Sequence, residues 1–239
     1  MKHGKDYIVF ALDVPSIEEA QRYVQLLKGK VAMFKVGLEL FVQSGPDIIK
    51  IIKDLGDAGV FLDLKFHDIS RTVERTMERV AQLGVDLVTV HCASSINMLE
   101  MAVKGGGKKT GVLGVTVLTD NDSQVVANSG FREEYVRDLH SLVIKRAQMA
   151  KDAGCRGIVC SGHEAKAVKE MFGKDFLAVT PGIRPKWSLP ENDDQQRITT
   201  PAMAVKAGAD LIVVGRPIKM ADEPAAAADR IAEEIEDRL

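Results

Sequence analysis

The 239-residue sequence predicts an α/β fold, a single (β/α)8 or TIM barrel spanning residues 1–239. Three observations predict it. Eight short apolar runs rich in β-branched residues recur along the chain, an amphipathic helical stretch follows each, and the units are evenly spaced over a length that suits one barrel. A doubly wound open sheet is the competing architecture, and the unit count and spacing favour the barrel.

The strands are expected, in order, at "YIVFALDV" (7–14), "VAMFKVGL" (31–38), "GVFLDLKF" (59–66), "LVTVHCA" (87–93), "TGVLGVTVL" (110–118), "GIVCSG" (157–162), "FLAVTPGI" (176–183) and "LIVVGRPI" (211–218). They are nearly continuous in apolar residues, as strands buried on both faces of a parallel sheet must be. The helices are expected at 16–28, 44–59, 71–84, 95–105, 135–154, 163–172, 201–208 and 224–239. Each repeats its apolar residues at helical spacing, and several end in glycine before the next strand. Two connections are long, 119–134 and 184–200, and both leave the C-terminal ends of strands, where barrels build their sites.

Hydrophobic residues make up 46% and charged residues 28%, with a formal net charge of -2. Nothing in that balance points to nucleic acid or an anionic membrane as partner. No apolar run approaches the ~20 residues of a membrane-spanning helix. The N-terminus "MKHGKDYIVFALDV" reads as a first strand, since its apolar run is short and lacks a cleavage site. The cysteines, Cys92, Cys155 and Cys160, form no CxxC pair, and their odd number fits a reducing cytoplasm.

Polar residues cluster at the strands' C-terminal ends: Asp13, Lys35, Asp63 with Lys65, His91, Thr119, Ser161, Thr180 with Arg184, and Arg216. In a barrel they ring one mouth. Side chains alternate along a strand, so Asp63 and Lys65 point together into the barrel while Leu62 and Leu64 face the helices. Asp68 falls in the loop beyond, and Lys35 arrives from the neighbouring strand. Lys, Asp, Lys and Asp then alternate in sign, and one such contact at ~4 Å is worth roughly 4 kcal/mol at an effective dielectric near 20. A barrel-stabilising salt-bridge cluster is the alternative to a catalytic array. His91, Thr116 and Ser161 could equally be ordinary strand-end residues. The lysine set among the carboxylates opposes binding of a divalent cation, so no metal is expected. HExxH, GxSxG and phosphate-loop patterns are absent.

The last two loops carry a second signal. "VTPGIRP" and "VVGRPI" are glycine-containing turns after strands 7 and 8, the place where barrels commonly hold phosphate. Arg184 and Arg216 would supply charged donors to phosphate oxygens. "NDDQQR", containing Gln195, lies in the intervening loop.

Together "ALDV", "FKVGLELF", "FLDLKFHDI", "VTVH", "VTPGIR", "DDQ", "RITTP" and "VVGRPI" resemble the orotidine 5'-monophosphate decarboxylase family of bacterial type, in its order and spacing and over nearly the whole chain. The resemblance implies a carboxy-lyase that makes uridine 5'-monophosphate in pyrimidine biosynthesis, without a cofactor and as a homodimer. It implies that Asp13 binds the ribose, that Lys35 joins ribose and charge network, that Asp63 sits beside the substrate carboxylate, and that Lys65 donates the proton. Asp68, with Ile69 and Thr72, would complete the site of the other subunit. Thr119 would lie near the pyrimidine, and Arg184, Gln195, Gly215 and Arg216 would hold the phosphate. The sequence departs from the family at Ser70 and Arg71, where Pro-Asn is usual after "HDI". A sugar-phosphate decarboxylase dependent on Mg²⁺, such as a keto-gulonate phosphate decarboxylase, shares an Asp-x-Lys-x-x-Asp strand, but "HDI" with Thr72 and the "DDQ" loop argue against it. A non-catalytic nucleotide-binding barrel is the remaining alternative.

Overall fold

A computed structural model of the chain describes residues 2–188 and 199–238. Eight parallel strands close on themselves in sequence order, β1 pairing with β8. The expected barrel is therefore the observed one.

The first half runs β1 (Ile8–Ala11), α1 (Ile17–Leu26), β2 (Met33–Gly37), α2 (Leu38–Ser44), α3 (Asp47–Leu55), β3 (Gly59–Phe66), α4 (Ser70–Gln82), β4 (Leu87–His91) and α5 (Ile96–Gly106). The second runs β5 (Gly111–Val115), α6 (Ser123–Asn128), α7 (Glu133–Arg137), α8 (Leu139–Asp152), β6 (Gly157–Val159), α9 (Ala165–Phe172), β7 (Leu177–Thr180), α10 (Pro201–Lys206), β8 (Leu211–Val214), α11 (Arg216–Lys219) and α12 (Pro224–Glu236). Side-chain caps start several helices where expected: Ser16, Ser95 and Thr200 accept from the backbone N–H three residues on.

Two apolar layers form. An outer core, including Ile8, Phe10, Phe34, Leu62, Val88 and Ile212, lies between barrel and helices. An inner cluster of Val9, Met33, Phe61, Leu87, Leu113, Val179 and Leu211, with Val159 against it, fills the barrel's interior. Polar side chains take over the inward positions only beyond this cluster, at the mouth.

The structure corrects several boundaries. The strands expected at 176–183 and 211–218 stop at Thr180 and Val214. Pro181 follows Thr180 directly and has no N–H to extend the ladder, and after Val214 the backbone leaves the extended conformation at Gly215, with φ -118° and ψ -89°. Arg216 is accordingly the first residue of a short helix, not a strand end. The helix expected over 135–154 is two helices. Asp138 leaves helical geometry and its carboxylate caps α8, accepting from the N–H groups of His140 and Ser141. Helices α2 and α6 were not expected. The first follows β2 with no intervening loop, and the second lies inside the long 119–134 connection. No helix among the described residues is long and apolar enough to cross a membrane.

Candidate active site

Three of the four residues expected to alternate at the mouth, Lys35, Asp63 and Lys65, come together, and Asp13 rather than Asp68 is the fourth. Lys35, on β2, reaches Asp13 Oδ1 at 3.0 Å and Asp63 Oδ2 at 3.6 Å. Lys65 Nζ donates to both oxygens of Asp63 at 3.0 Å. The order is Asp13, Lys35, Asp63, Lys65, alternating in sign and balanced in charge. Only 11% of the Lys35 side chain and 14% of Asp63 are exposed, which makes the pairing necessary, because an unpaired charge at that depth is strongly unfavourable.

Strand β3 is not regular where it carries these charges. Leu62 pairs with Val88 and Phe66 with Val90, so four residues of β3 advance against two of β4. The bulge places Lys65 at φ 51°, the one positive φ outside glycine among the described residues. Such a backbone costs on the order of 1–3 kcal/mol and persists only when its surroundings hold it. Here Thr89 holds it. The Thr89 hydroxyl accepts from the Lys65 N–H at 2.9 Å and donates to Asp63 Oδ1 at 2.9 Å. Because the bulge adds an even number of residues, the alternation survives it. Leu62, Leu64 and Phe66 face the outer core, and Asp63 and Lys65 face the mouth.

Thr89 and Gly37 are site residues that the sequence reading missed. Thr89 shares the inward face of β4 with Leu87 and His91, and that alternation was the available signal. At Gly37 an added Cβ would lie 3.1 Å from both Asp13 Oδ1 and Lys35 Nζ, so a side chain there would crowd their pair.

A cavity of about 560 Å³ opens beside the array. Asp13, Lys35 and Thr119 line it, together with Arg184 from the loop after β7 and Gly215 and Arg216 from the segment after β8. The structure thus gathers eight of the residues singled out: Asp13, Lys35, Asp63, Lys65, Thr119, Arg184, Gly215 and Arg216. Asp68 stands apart. It is exposed, its Oδ1 accepts from the Ile69 N–H at 2.6 Å, and it makes no ion pair within the described residues. Ile69 is 76% exposed, and Thr72 is half-buried on the first turn of α4. Gln195 lies outside the described residues.

The other rim residues divide. Thr116 donates to the Val159 carbonyl at 3.0 Å, an ordinary strand-end bond. His91 packs on His67, ring centroids 5.7 Å apart, and burial, then His67, Lys65 and Arg146, push its imidazole below the ordinary range. All three cysteines are free and buried, and burial raises the Cys92 thiol to about 12.

Residues 6–231 match the Orotidine 5'-phosphate decarboxylase / HUMPS family. The chain belongs to that family. It is 54% identical over 236 residues to the orotidine 5'-phosphate decarboxylase of Desulfosudis oleivorans, covering 98% of this chain and 95% of the relative. It is 41% identical over 233 residues to that of Pelobacter propionicus, covering 95% of this chain and 94% of the relative. Among solved structures, the orotidine 5'-phosphate decarboxylase of Lactobacillus acidophilus superposes with a TM-score of 0.82 at 36% identity, over 95% of this chain and 98% of that one. Homology of this extent makes the protein an enzyme of the carboxy-lyase class.

Proposed function

We propose that the chain is a single catalytic domain that converts orotidine 5'-monophosphate to uridine 5'-monophosphate and CO₂ in pyrimidine biosynthesis, in the cytoplasm and without a cofactor. One observation carries the reading. Asp13 and Lys35, the members of the alternating Asp13–Lys35–Asp63–Lys65 array that line the cavity, share it with Arg184 and Arg216, which sets a charged reaction centre beside an anion grip.

The chemistry follows from the charges. The bond from C6 of the pyrimidine to its carboxylate breaks, and the electron pair stays in an in-plane orbital at C6 that the ring delocalises poorly. A fixed ammonium is the stabiliser available, and Lys65 supplies it and then a proton to C6. Lys35 and Thr89 hold the Asp63 carboxylate in place, so that Asp63 can in turn hold Lys65. Asp63 beside the departing carboxylate also raises the ground state. Asp13 and Lys35 meet the ribose, Thr119 the pyrimidine, and Arg184, Gln195, Gly215 and Arg216 the phosphate.

The test is direct. The purified chain should form uridine 5'-monophosphate from the substrate, followed by absorbance, at a rate unchanged after exhaustive chelation. No product would end the reading. Loss on chelation with recovery on Mg²⁺ would favour a sugar-phosphate decarboxylase instead.

A homodimer is part of the same proposal. Asp68 is exposed beyond β3 and Ile69 projects into solvent beside it. Leu38 and Val42 of α2, and Ile96 at the start of α5, are also exposed, and all follow β2, β3 or β4 at the mouth end. These features support an apolar contact between copies that carries Asp68 to its partner. Lys65→Ala and Asp68→Ala proteins should then complement when mixed, since one site of each heterodimer carries both defects and the other neither. Random exchange of an equal mixture restores about one quarter of the sites. Mixtures no more active than either parent, despite verified exchange, would place Asp68 in its own subunit's site.

A further inference from the structure

Glu74 is a buried carboxylate that the reaction does not use. It lies on α4, one turn past the start of the helix, and the residue is 2% exposed. Two cations from two helices reach it. Arg71 Nη1 pairs with Oε2 from the first turn of α4, and Lys104 Nζ approaches Oε1 at 2.8 Å from α5. The helices meet here because Gly105 has no side chain, and a Cβ on it would lie 2.3 Å from the Glu74 carbonyl oxygen. The ammonium of Lys104, then the guanidinium of Arg71, hold the Glu74 carboxyl below its usual range.

A buried ion-pair group is weak as a source of stability, because well-packed apolar residues in its place do as well. What it can supply is a fixed position. The position it fixes is the entry to α4, which carries Asp68, Ile69 and Thr72. The backbone there suits a proline that the sequence lacks. Ile69 has ψ 136°, in the extended range favoured before proline, and Ser70 is the first helical residue, where proline is favoured and no hydrogen bond is lost. Ser70 leaves that turn free to fray. The bonds at risk are those from the N–H groups of Thr72 and Val73 to the Ile69 carbonyl, at 2.8 and 3.0 Å.

We propose that Arg71, Glu74 and Lys104 form a positioning triad that locks the Asp68–Thr72 segment against α5, supplying from side chains the rigidity that a proline at Ser70 would supply through the backbone. None of the three touches the reacting atoms. Their effect on turnover runs through the segment they hold, and that part of the proposal rests on the decarboxylase and dimer reading above.

The experiment uses the full chain and two readouts. In Arg71→Ala, amide exchange at Thr72 and Val73 should rise at least about tenfold, as local opening becomes easier. The kcat/KM on orotidine 5'-monophosphate should fall by roughly ten- to a hundredfold, since a displacement of ~1 Å can cost about a hundredfold. Lys104→Met should give the same exchange signature. Ser70→Pro alone should leave turnover unchanged, and Ser70→Pro with Arg71→Ala should recover both readouts to within about twofold, the added rigidity replacing the lost anchor. In an Asp68→Ala background, Arg71→Ala should cost less than about twofold, because coupled residues are not additive. Unchanged exchange in Arg71→Ala, a loss that proline does not rescue, or a loss fully additive with Asp68→Ala would each overturn the triad's role. A wild-type chain that turns over no substrate would remove the decarboxylase reading, while the exchange arm would still decide whether the triad anchors the segment.

Discussion

Lys65→Ala should fold as the wild type does and lose turnover by several orders of magnitude. The two losses have separate sizes. Removing a general acid costs roughly 10²–10⁴-fold. Removing a fixed charge aimed at a developing anion costs a further ~10²–10³-fold. No other lysine can reach the position from the same strand, and Lys35 is already committed to Asp13 and Asp63. The fold should tolerate the change because Asp63 keeps Lys35 and the Thr89 hydroxyl as partners after Lys65 is gone. The residue introduced must still adopt φ 51°, a strain already present in the parent. The check is single-turnover kinetics on orotidine 5'-monophosphate beside a thermal melt. Near-normal turnover in a folded Lys65→Ala protein would remove Lys65 from the chemistry.

The barrel was legible because parallel strands covered on both faces must be apolar throughout, and helices on one side only must be periodic. Those two patterns alternate from Ile8 to Glu236. The array was legible for the opposite reason: Asp63 and Lys65 break an apolar strand where a charge is costly. Strand ends were less legible. "VTPGI" stays apolar past Thr180, with only Pro181 to mark where the ladder stops, and in "VVGRPI" the strand ends at Val214 because the chain turns at Gly215, which no local pattern distinguishes from a strand glycine. Thr89 escaped because threonine is an ordinary strand residue, and its role depends on a bulge in the neighbouring strand that no local pattern in β4 reveals. Asp68 is the instructive case. Its spacing from Asp63 and Lys65 suggests one cluster, yet it is exposed and outside the array of its own chain. The resemblance, not the spacing, placed it at a subunit boundary.

Arg216→Ala should separate the anion grip from the reaction centre. Arg216 opens α11 immediately after Gly215, and both line the cavity that Asp13 and Lys35 also line. On the proposed reading the phosphate is a remote part of the substrate and takes no part in the reaction at C6. Its binding energy is nevertheless available to the transition state, because binding by a remote part of a substrate can be used to orient and desolvate the reacting part. Truncating one partner of a well-desolvated charge pair costs roughly 2–5 kcal/mol. At ~1.4 kcal/mol per factor of ten, that is a loss of about thirtyfold to a few thousandfold in kcat/KM on the nucleotide. The phosphate-free nucleoside never engages the arginine, so its kcat/KM should change little. Arg184 lines the same cavity and limits the loss towards the lower end if it retains part of the phosphate contact. The decisive quantities are kcat/KM for nucleotide and nucleoside in the wild type and in Arg216→Ala. Equal losses on the two substrates would mean that Arg216 supports the fold or the charged array in general, and the phosphate assignment would have to be withdrawn.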